Sequence, residues 1–140
     1  MGDLKPVPVP DEFSAGFWAA AEEGKLAFQT CSACGTKAHP PVLHCQKCLT
    51  SGFTFEPEEG PFVLRSWTVA HYSFLSGFAD EVPYTMGVAS PKKHPQIRLL
   101  ARLEGGAETE PRIGDILTVG FSRSEDGPAL PVLVPAEAAE

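Results

Sequence analysis

The C-terminal half of the chain is a series of short apolar segments separated by turn residues. Between Ile97 and Leu103 the side chains alternate, with Arg98 and Arg102 on the face opposite the apolar one. This period of two predicts a strand with one buried face. The predicted strands are 62–74, 84–89, 97–103, 116–121 and 130–134. Since no linker between them is long enough for a helix, we predict a small five-stranded antiparallel barrel, of which the OB-fold is the common type.

The N-terminal part of the chain has a helical period instead. Asp11 or Ser14 can cap a short helix that runs to about residue 23. One side of this helix is strongly apolar because aromatic residues recur on it at roughly helical spacing. Such a face packs either on the core of its own chain or on a partner subunit, and the sequence leaves both open. The aromatic residues are Phe13, Phe17 and Trp18.

All four cysteines of the chain lie between Cys31 and Cys48, in two C-x2-C pairs that ten residues separate. Each pair can turn tightly around a tetrahedral metal ion, and Gly35 after the first pair supplies the positive φ that such a turn needs. Four protein ligands fill a tetrahedron and leave no position for water or substrate. We therefore predict one structural Zn2+. The predicted ligands are Cys31, Cys34, Cys45 and Cys48.

Other interpretations of these cysteines fit less well. Two disulfides would need an oxidising compartment, and no secretory signal precedes the segment. A redox motif would be a single C-x2-C pair at a helix N-terminus. Iron in the same sulfur cage, as in rubredoxin, stays an alternative to zinc. His39 and His44 lie nearby, but with four thiolates at the right spacing we expect them to be surface or packing residues.

Composition and charge exclude several function classes. The chain has 140 residues, of which 43% are hydrophobic and 21% charged, with a net charge of −7. Four thiolates and one Zn2+ would add two further negative charges. A protein this acidic is poorly suited to bind nucleic acid, whose affinity comes mainly from Lys and Arg on phosphates. No apolar run approaches the length of a membrane span. Reduced cysteines without a targeting signal predict the cytoplasm.

The pattern therefore predicts a mainly β protein with four parts. Three alternating prolines predict an extended arm over residues 1–10. The N-terminal helix and a rubredoxin-like zinc ribbon follow over 11–60, and the OB-fold over 61–135. Residues 136–140 are expected to be a frayed tail.

This order of features resembles a known family, the zinc-ribbon/OB-fold proteins of domain-of-unknown-function family 35, which are acyl-CoA-associated. The resemblance extends from about residue 11 to residue 134. The hairpin Ser90-Pro91-Lys92-Lys93-His94-Pro95 is longer and more basic than the family pattern, so its role is not carried over. The matching stretches are Phe17-Trp18, Cys31-Ser32-Ala33-Cys34-Gly35, Pro40-Pro41, Cys45-Gln46-Lys47-Cys48, Ser66-Trp67-Thr68-Val69, Val82-Pro83-Tyr84 and Ile113-Gly114-Asp115.

The resemblance implies an accessory role. Members of this family act with thiolase-like enzymes and aldolases on acyl-CoA thioesters, and the thiolase-fold subunit carries the chemistry. The resemblance therefore predicts a hetero-oligomer with a thiolase-fold protein, with acyl-CoA at or near the shared interface. The predicted partner-contact or acyl-CoA-channel residues are Phe13, Phe17, Trp18, Phe74, Phe78 and Tyr84.

A search for catalytic groups agrees with a non-catalytic role. The sequence has no G-x-S-x-G elbow, no H-E-x-x-H helix and no phosphate-binding loop. His71 is expected to be a structural histidine, while Asp80 and Glu81 are expected to be solvated in a loop. The alternative to the accessory subunit is a single-stranded nucleic-acid-binding module, which the negative charge disfavours.

Overall fold

The computed structural model describes residues 7–105, 110–123 and 127–136. The predicted arm and tail therefore lie partly outside the described residues. One helix is followed by a three-stranded sheet and then by a closed barrel. The elements are α1 (Ala15–Glu22), β1 (Ala27–Cys31), β2 (Lys37–Ala38), β3 (Phe53–Pro57), β4 (Phe62–Ala70), a 3-10 turn (Ser76–Phe78), β5 (Tyr84–Pro91), β6 (Leu99–Leu103), β7 (Ile116–Ser122) and β8 (Leu130–Pro135).

Helix α1 begins and ends at the residues that the sequence indicated. The carboxylate of Asp11 accepts hydrogen bonds from the backbone N–H groups of Phe13 (3.0 Å) and Ser14 (2.9 Å) and from the Ser14 hydroxyl (2.9 Å). Gly24, with φ of +76°, ends the helix. Its N–H group donates to the carbonyl of Ala21 at 2.9 Å, which satisfies one of the last helical carbonyls.

The zinc ribbon is an antiparallel sheet in the order β2-β1-β3. Strand β3 pairs along the whole of β1, from Ala27 opposite Pro57 to Cys31 opposite Phe53, and it was not predicted from the sequence. The segment between the two cysteine pairs is not a strand after β2. It is held instead by the buried side-chain amide of Gln29, which donates to the carbonyl of Val42 (3.1 Å) and accepts from its N–H (2.8 Å).

The barrel has the strand order β4-β5-β6-β8-β7, and β7 closes it on β4. Strands β6 and β8 are parallel, whereas all other neighbours in the barrel are antiparallel. The predicted five-stranded barrel is confirmed, and it is closed, but the expectation that it is antiparallel is wrong for one pair, because β8 lies parallel to β6. Strand β4 is shorter than predicted, since pairing with β5 ends at Ala70 opposite Tyr84 and residues 71–75 form a loop.

A single hydrophobic core joins the ribbon to the barrel. Phe28 of the ribbon and Phe62 of the barrel are both essentially buried, and their ring centroids lie 6.4 Å apart. Phe17 of α1 belongs to the same cluster. The ribbon therefore shares the apolar core of the barrel, and α1 packs on its own chain.

Two polar contacts also cross from the N-terminal part to the barrel. Glu22 at the end of α1 forms an ion pair with Arg123 at 2.6 Å and accepts the N–H of Ala129 at 3.0 Å. The Nδ1 atom of His94 forms a hydrogen bond of 2.9 Å with Oε1 of Glu58, whose side chain is only 4% exposed. The basic hairpin that departs from the family pattern thus places a histidine against a buried carboxylate after β3.

Candidate metal centre and docking surfaces

The two cysteine pairs form two similar turns at the end of the ribbon, which we call the first knuckle (residues 31–36) and the second knuckle (residues 45–50). In the first, the N–H of Cys31 donates to the carbonyl of Thr36 at 2.9 Å. In the second, the N–H of Cys45 donates to the carbonyl of Thr50 at 2.8 Å. The local sequence C-x2-C-x-T is common to both.

The four sulfur atoms are close enough to bind one ion. All four lie within 4.8 Å of one another, with Cys31 3.6 Å from Cys48 and Cys34 3.6 Å from Cys45. A tetrahedron with Zn–S bonds of about 2.3 Å has edges of about 3.8 Å, so these separations fit zinc. A disulfide would require about 2.05 Å, and the four thiols are free.

The surroundings of three of the four sulfur atoms favour the thiolate form, which is the form that binds metal. The exception is Cys31: the backbone N–H of Cys34 lowers the pKa of its thiol, but burial and the contacts with the Cys48 and Cys34 sulfur atoms raise it overall. The hydroxyl of Thr36, 3.1 Å from Cys34 Sγ, lowers the pKa of the Cys34 thiol. The hydroxyl of Thr50, 3.2 Å from Cys48 Sγ, likewise lowers the pKa of Cys48. The backbone N–H of Cys48 lowers the pKa of Cys45. The donor set therefore fits the predicted structural zinc site.

Neither nearby histidine joins this cluster of sulfur atoms. His39 packs between aromatic rings, with its centroid 5.0 Å from those of Phe17 and Phe28. Burial lowers the pKa of His39 to about 4. His44 is exposed. The expectation that both are packing or surface residues agrees with these positions.

The aromatic residues of the N-terminal helix occupy three different environments. Phe17 is a core residue, 5% exposed, so it does not reach a partner surface. Trp18 is half-buried and packs against the core, edge-on to Phe17 with ring centroids 5.0 Å apart. Phe13 is 37% exposed. Of these three candidates for partner contact, Phe13 and the outer side of Trp18 are accessible.

A strongly exposed apolar segment follows strand β4. We call Tyr72, Phe74 and Leu75 the aromatic loop; these residues are 74%, 91% and 50% exposed. The Tyr72 and Phe74 rings pack edge-on against each other, with centroids 5.0 Å apart. Exposed apolar clusters of this kind mark interaction surfaces. Of these three residues, Phe74 is one of the predicted partner-contact or channel residues, and the loop over residues 72–84 was predicted as a whole to contact the partner or line the channel.

An apolar groove of about 1120 Å³ lies between α1 and the outer face of the barrel. Its wall contains Leu100, 64% exposed, and the ring of Tyr84, over which the Arg102 guanidinium lies 4.1 Å from the centroid. Arg102 also pairs with Glu81 at 2.9 Å. The expectation that Glu81 is solvated is therefore wrong, because the fold brings β6 beside the loop that precedes β5. Four of the six predicted partner-contact or channel residues line this groove, whereas Phe13 and Phe74 do not. The four are Phe17, Trp18, Phe78 and Tyr84.

Comparison with known proteins indicates which class of metal-binding domain the cysteine-containing segment belongs to. Residues 18–54 match the family described as "ChsH2, rubredoxin-like zinc ribbon domain". This part of the chain is therefore similar to that zinc ribbon domain, and the predicted resemblance of the chain to zinc-ribbon/OB-fold proteins is confirmed. The ribbon carries a structural zinc site made by the four cysteines.

Two solved structures are similar to most of the chain. One is a chain described as "Ltp2-ChsH2(DUF35) aldolase", 28% identical, with a TM-score of 0.80, covering 92% of this chain and 98% of that one. The other is a protein of unknown function from the DUF35 family of Sulfolobus solfataricus, 16% identical, with a TM-score of 0.55, covering 85% and 81%. The second likeness shows the fold alone.

A longer relative also matches. The chain is 30% identical over 133 residues to a "probable enoyl-CoA hydratase alpha subunit" of Thermomonospora curvata. The match covers 95% of this chain and 40% of that protein. The chain thus corresponds to less than half of the relative. In the part of the chain that the structure describes, no helix is long and apolar enough to cross a bilayer.

Proposed function

We propose that this chain is a non-catalytic subunit that binds a thiolase-fold partner and supports C–C bond cleavage or formation on acyl-CoA thioesters. The observation that carries the proposal is its likeness to the chain described as "Ltp2-ChsH2(DUF35) aldolase". That likeness covers almost the full length of both chains at 28% identity, so it includes the ribbon, the barrel and their arrangement.

The aromatic loop supports the docking half of the proposal. Three large apolar side chains project from the barrel in one short segment, and Trp67 on the preceding strand is also 37% exposed. Aromatic residues of this kind dominate the energetics of protein interfaces, because each buries a large area with few rotatable bonds. Phe74, 91% exposed, is the strongest anchor candidate because it makes little packing contact within the chain itself.

The groove supports the acyl-CoA half of the proposal. Its lining is predominantly apolar and suits an acyl chain, while the Arg102–Glu81 pair supplies polar groups at its wall. Phe78 and Tyr84 lie in this wall, with ring centroids 6.1 Å apart. An acyl-CoA molecule held at the partner's active site would reach this groove if the partner covers the face between α1 and the barrel.

The same groove is poorly suited to nucleic acid. Its lining places Glu81 and Glu104 beside Arg102, the single Lys or Arg among its lining residues. Single strands bind where a continuous basic groove follows the backbone, and carboxylates in that position repel phosphates. No observation therefore favours the nucleic-acid-binding alternative.

The experiment that tests the proposal is reconstitution. The chain is co-expressed with each thiolase-fold protein of its source organism in turn, and association is measured by co-purification and by calorimetric titration. Cleavage of acyl-CoA thioesters is then followed with each protein alone and with the complex. We expect turnover by the complex and none by this chain alone. Turnover by the isolated chain at the rate of the complex would overturn the accessory role.

A surface variant separates docking from folding. Phe74→Ser should weaken association by roughly 30-fold or more, as loss of an interface hot spot does, while leaving the melting temperature unchanged because the ring is exposed. Ile113→Ser is the matched control, because Ile113 is also an exposed apolar side chain of the barrel, at 64%. Equal affinity of wild type and Phe74→Ser would exclude the aromatic loop from the interface.

A further inference from the structure

One polar side chain lies within the aromatic cluster that joins α1, the ribbon and the barrel. The ring of His39 stacks on Phe17 with an interplanar angle of 21°, and its centroid lies 5.0 Å from that of Phe28. These contacts hold the ring in place but leave its two nitrogen atoms without a partner. Among the described residues, no group forms a hydrogen bond with the imidazole of His39.

An unpaired imidazole in an aromatic cluster is unfavourable by itself. A neutral imidazole has one N–H donor and one acceptor nitrogen, and a polar group that is removed from water without a partner destabilises the fold. The nitrogen atoms of His39 are not fully enclosed, because no side-chain nitrogen or oxygen in the described part of the chain is both inaccessible and unpaired. The polar edge of the ring therefore opens onto a cavity beside it.

His39 borders two cavities, and its side chain faces the larger one. The smaller is a recess of about 500 Å³ beside the second knuckle, and residues 36–42 line it without a break, so the chain itself runs along its wall. The larger is the groove between α1 and the barrel. His39 is the only residue of the segment 36–42 among its lining residues, together with Phe17, on which the ring stacks. A single residue of a segment reaches a wall in this way through its side chain, so the imidazole belongs to the groove.

The groove offers this imidazole an uncharged ligand group rather than an anion. Burial lowers the pKa of His39 to about 4, so the ring is neutral at pH 7 and can both donate and accept a hydrogen bond. The charged residues that line the groove are Arg102, Glu81 and Glu104, and Arg102 already pairs with Glu81 at 2.9 Å. A carboxylate or phosphate beside His39 would therefore be desolvated without a free positive charge to compensate it. A hydroxyl or keto oxygen forms the same hydrogen bond without that cost.

We propose that His39 is a specificity-determining contact of the groove, where it forms a hydrogen bond with a hydroxyl or keto oxygen of the bound acyl group. The groove thus takes an oxygenated acyl group in preference to a plain alkyl chain. The identity of the occupant as an acyl group rests on the proposed function. Since that function places the thioester and the reacting carbons in the partner, the oxygen lies on the part of the acyl group remote from the thioester.

The test compares ligands that differ by one hydroxyl group. Binding to the full chain is measured by calorimetric titration with dodecanoyl-CoA and with analogues that carry one hydroxyl group at successive carbons of the terminal half of the acyl chain. We expect at least one analogue to bind the wild-type chain about tenfold more tightly than dodecanoyl-CoA, because the hydrogen bond forms in a largely apolar site. His39→Phe should lose this preference. His44→Phe is the matched control, since His44 is exposed and lines neither cavity, and it should keep the preference.

Two further measurements separate ligand recognition from a structural role of His39. His39→Phe keeps an aromatic ring in the cluster and removes an unpaired polar edge, so its urea midpoint at pH 7 should be no lower than that of the wild-type chain. In long-range proton–nitrogen NMR correlation spectra, an imidazole nitrogen resonance of His39 should shift when the preferred analogue binds and stay in place with dodecanoyl-CoA. A lowered urea midpoint in His39→Phe with an intact hydroxyl preference would make His39 a packing residue only.

The outcomes distinguish this inference from the proposed function. If the wild-type chain binds dodecanoyl-CoA and every hydroxylated analogue equally well, or if His39→Phe keeps the preference, the inference is wrong while the groove remains an acyl-CoA site. If the wild-type chain binds none of these ligands, the inference and the acyl-CoA half of the proposed function both fail. Association with the thiolase-fold partner is measured separately, so the docking half is decided independently of either result.

Discussion

The environment of His39 predicts a specific pH dependence of stability. Its ring stacks on Phe17 with an interplanar angle of 21° and lies 5.0 Å from the ring of Phe28, centroid to centroid. Burial in this aromatic cluster disfavours the imidazolium form and lowers the pKa of His39 from 6.5 to about 4. The group is therefore neutral in the folded chain under conditions in which it is protonated in the unfolded chain.

The sign and size of the effect follow from this difference. Between pH 6.5 and pH 4 the unfolded chain binds one more proton at His39 than the folded chain, so the free energy of unfolding decreases as the pH falls. With pKa values of 6.5 and about 4, lowering the pH from 7 to 5 removes about 2 kcal/mol of stability through this one group. Most of the remaining loss of stability appears between pH 5 and pH 4, and the rest below pH 4.

The measurement is urea unfolding at pH 7 and pH 5, with excess zinc present, for the wild-type chain and for His39→Phe. Protonation of the zinc ligands affects both proteins, so the difference between them reports His39. The wild-type chain should lose about 2 kcal/mol more than the variant, a difference of roughly 1 M in urea midpoint. Parallel pH dependence of the two proteins would refute the reasoning.

Four further predictions concern the metal, the charge and the packing. Metal analysis should find one zinc per chain, and a Cys34→Ser/Cys48→Ser variant should lose it together with the folded ribbon, seen by circular dichroism; full zinc content in that variant would contradict the ligand assignment. Fluorescence anisotropy should detect no sub-micromolar binding to single-stranded DNA or RNA at physiological salt, because the net charge of −7 repels phosphates; tight binding would restore the nucleic-acid alternative. Trp18→Ala should lower the free energy of unfolding by about 2 kcal/mol, since the ring packs against the core, and an unchanged urea midpoint together with lost partner binding would instead make Trp18 an interface residue. His94→Ala, which leaves the buried Glu58 carboxylate without this hydrogen bond, should destabilise the chain by roughly 1–3 kcal/mol, and a double-mutant cycle with Glu58→Gln should show coupling of at least about 1 kcal/mol; additive effects would mean that the contact contributes nothing.

The parts of the fold that short-range patterns encode were predictable from the sequence. The zinc ligands follow from spacing within the chain, because two residues between paired cysteines fit a metal knuckle whatever surrounds it. The barrel strands follow from alternation of apolar and polar side chains, which reports one buried face. The left-handed glycine of the first knuckle was expected for the same local reason, and Gly35 has φ of +78°.

Features that depend on contacts between distant segments were not predictable. Glu22 and Arg123 form a contact although they are 101 residues apart in the sequence, and His94 and Glu58 do so at a separation of 36 residues. No local sequence pattern predicts either contact. Strand β3 alternates apolar and polar residues over Phe53-Thr54-Phe55-Glu56, but a run of four residues is too short to predict a strand by itself. It is a strand because it pairs along the whole of β1, which lies more than twenty residues earlier in the chain.

Whether helix α1 packs on its own chain or on a partner was also determined by tertiary contacts. The sequence indicated that α1 has an apolar face, since that depends only on the spacing of its residues. Whether Phe17 packs inside or outside depended on the space beside Phe28 and His39, which exists only once the ribbon and barrel have formed. Leu49 is a second example of a feature that the sequence does not predict. Its left-handed backbone and its exposure arise only in the folded knuckle.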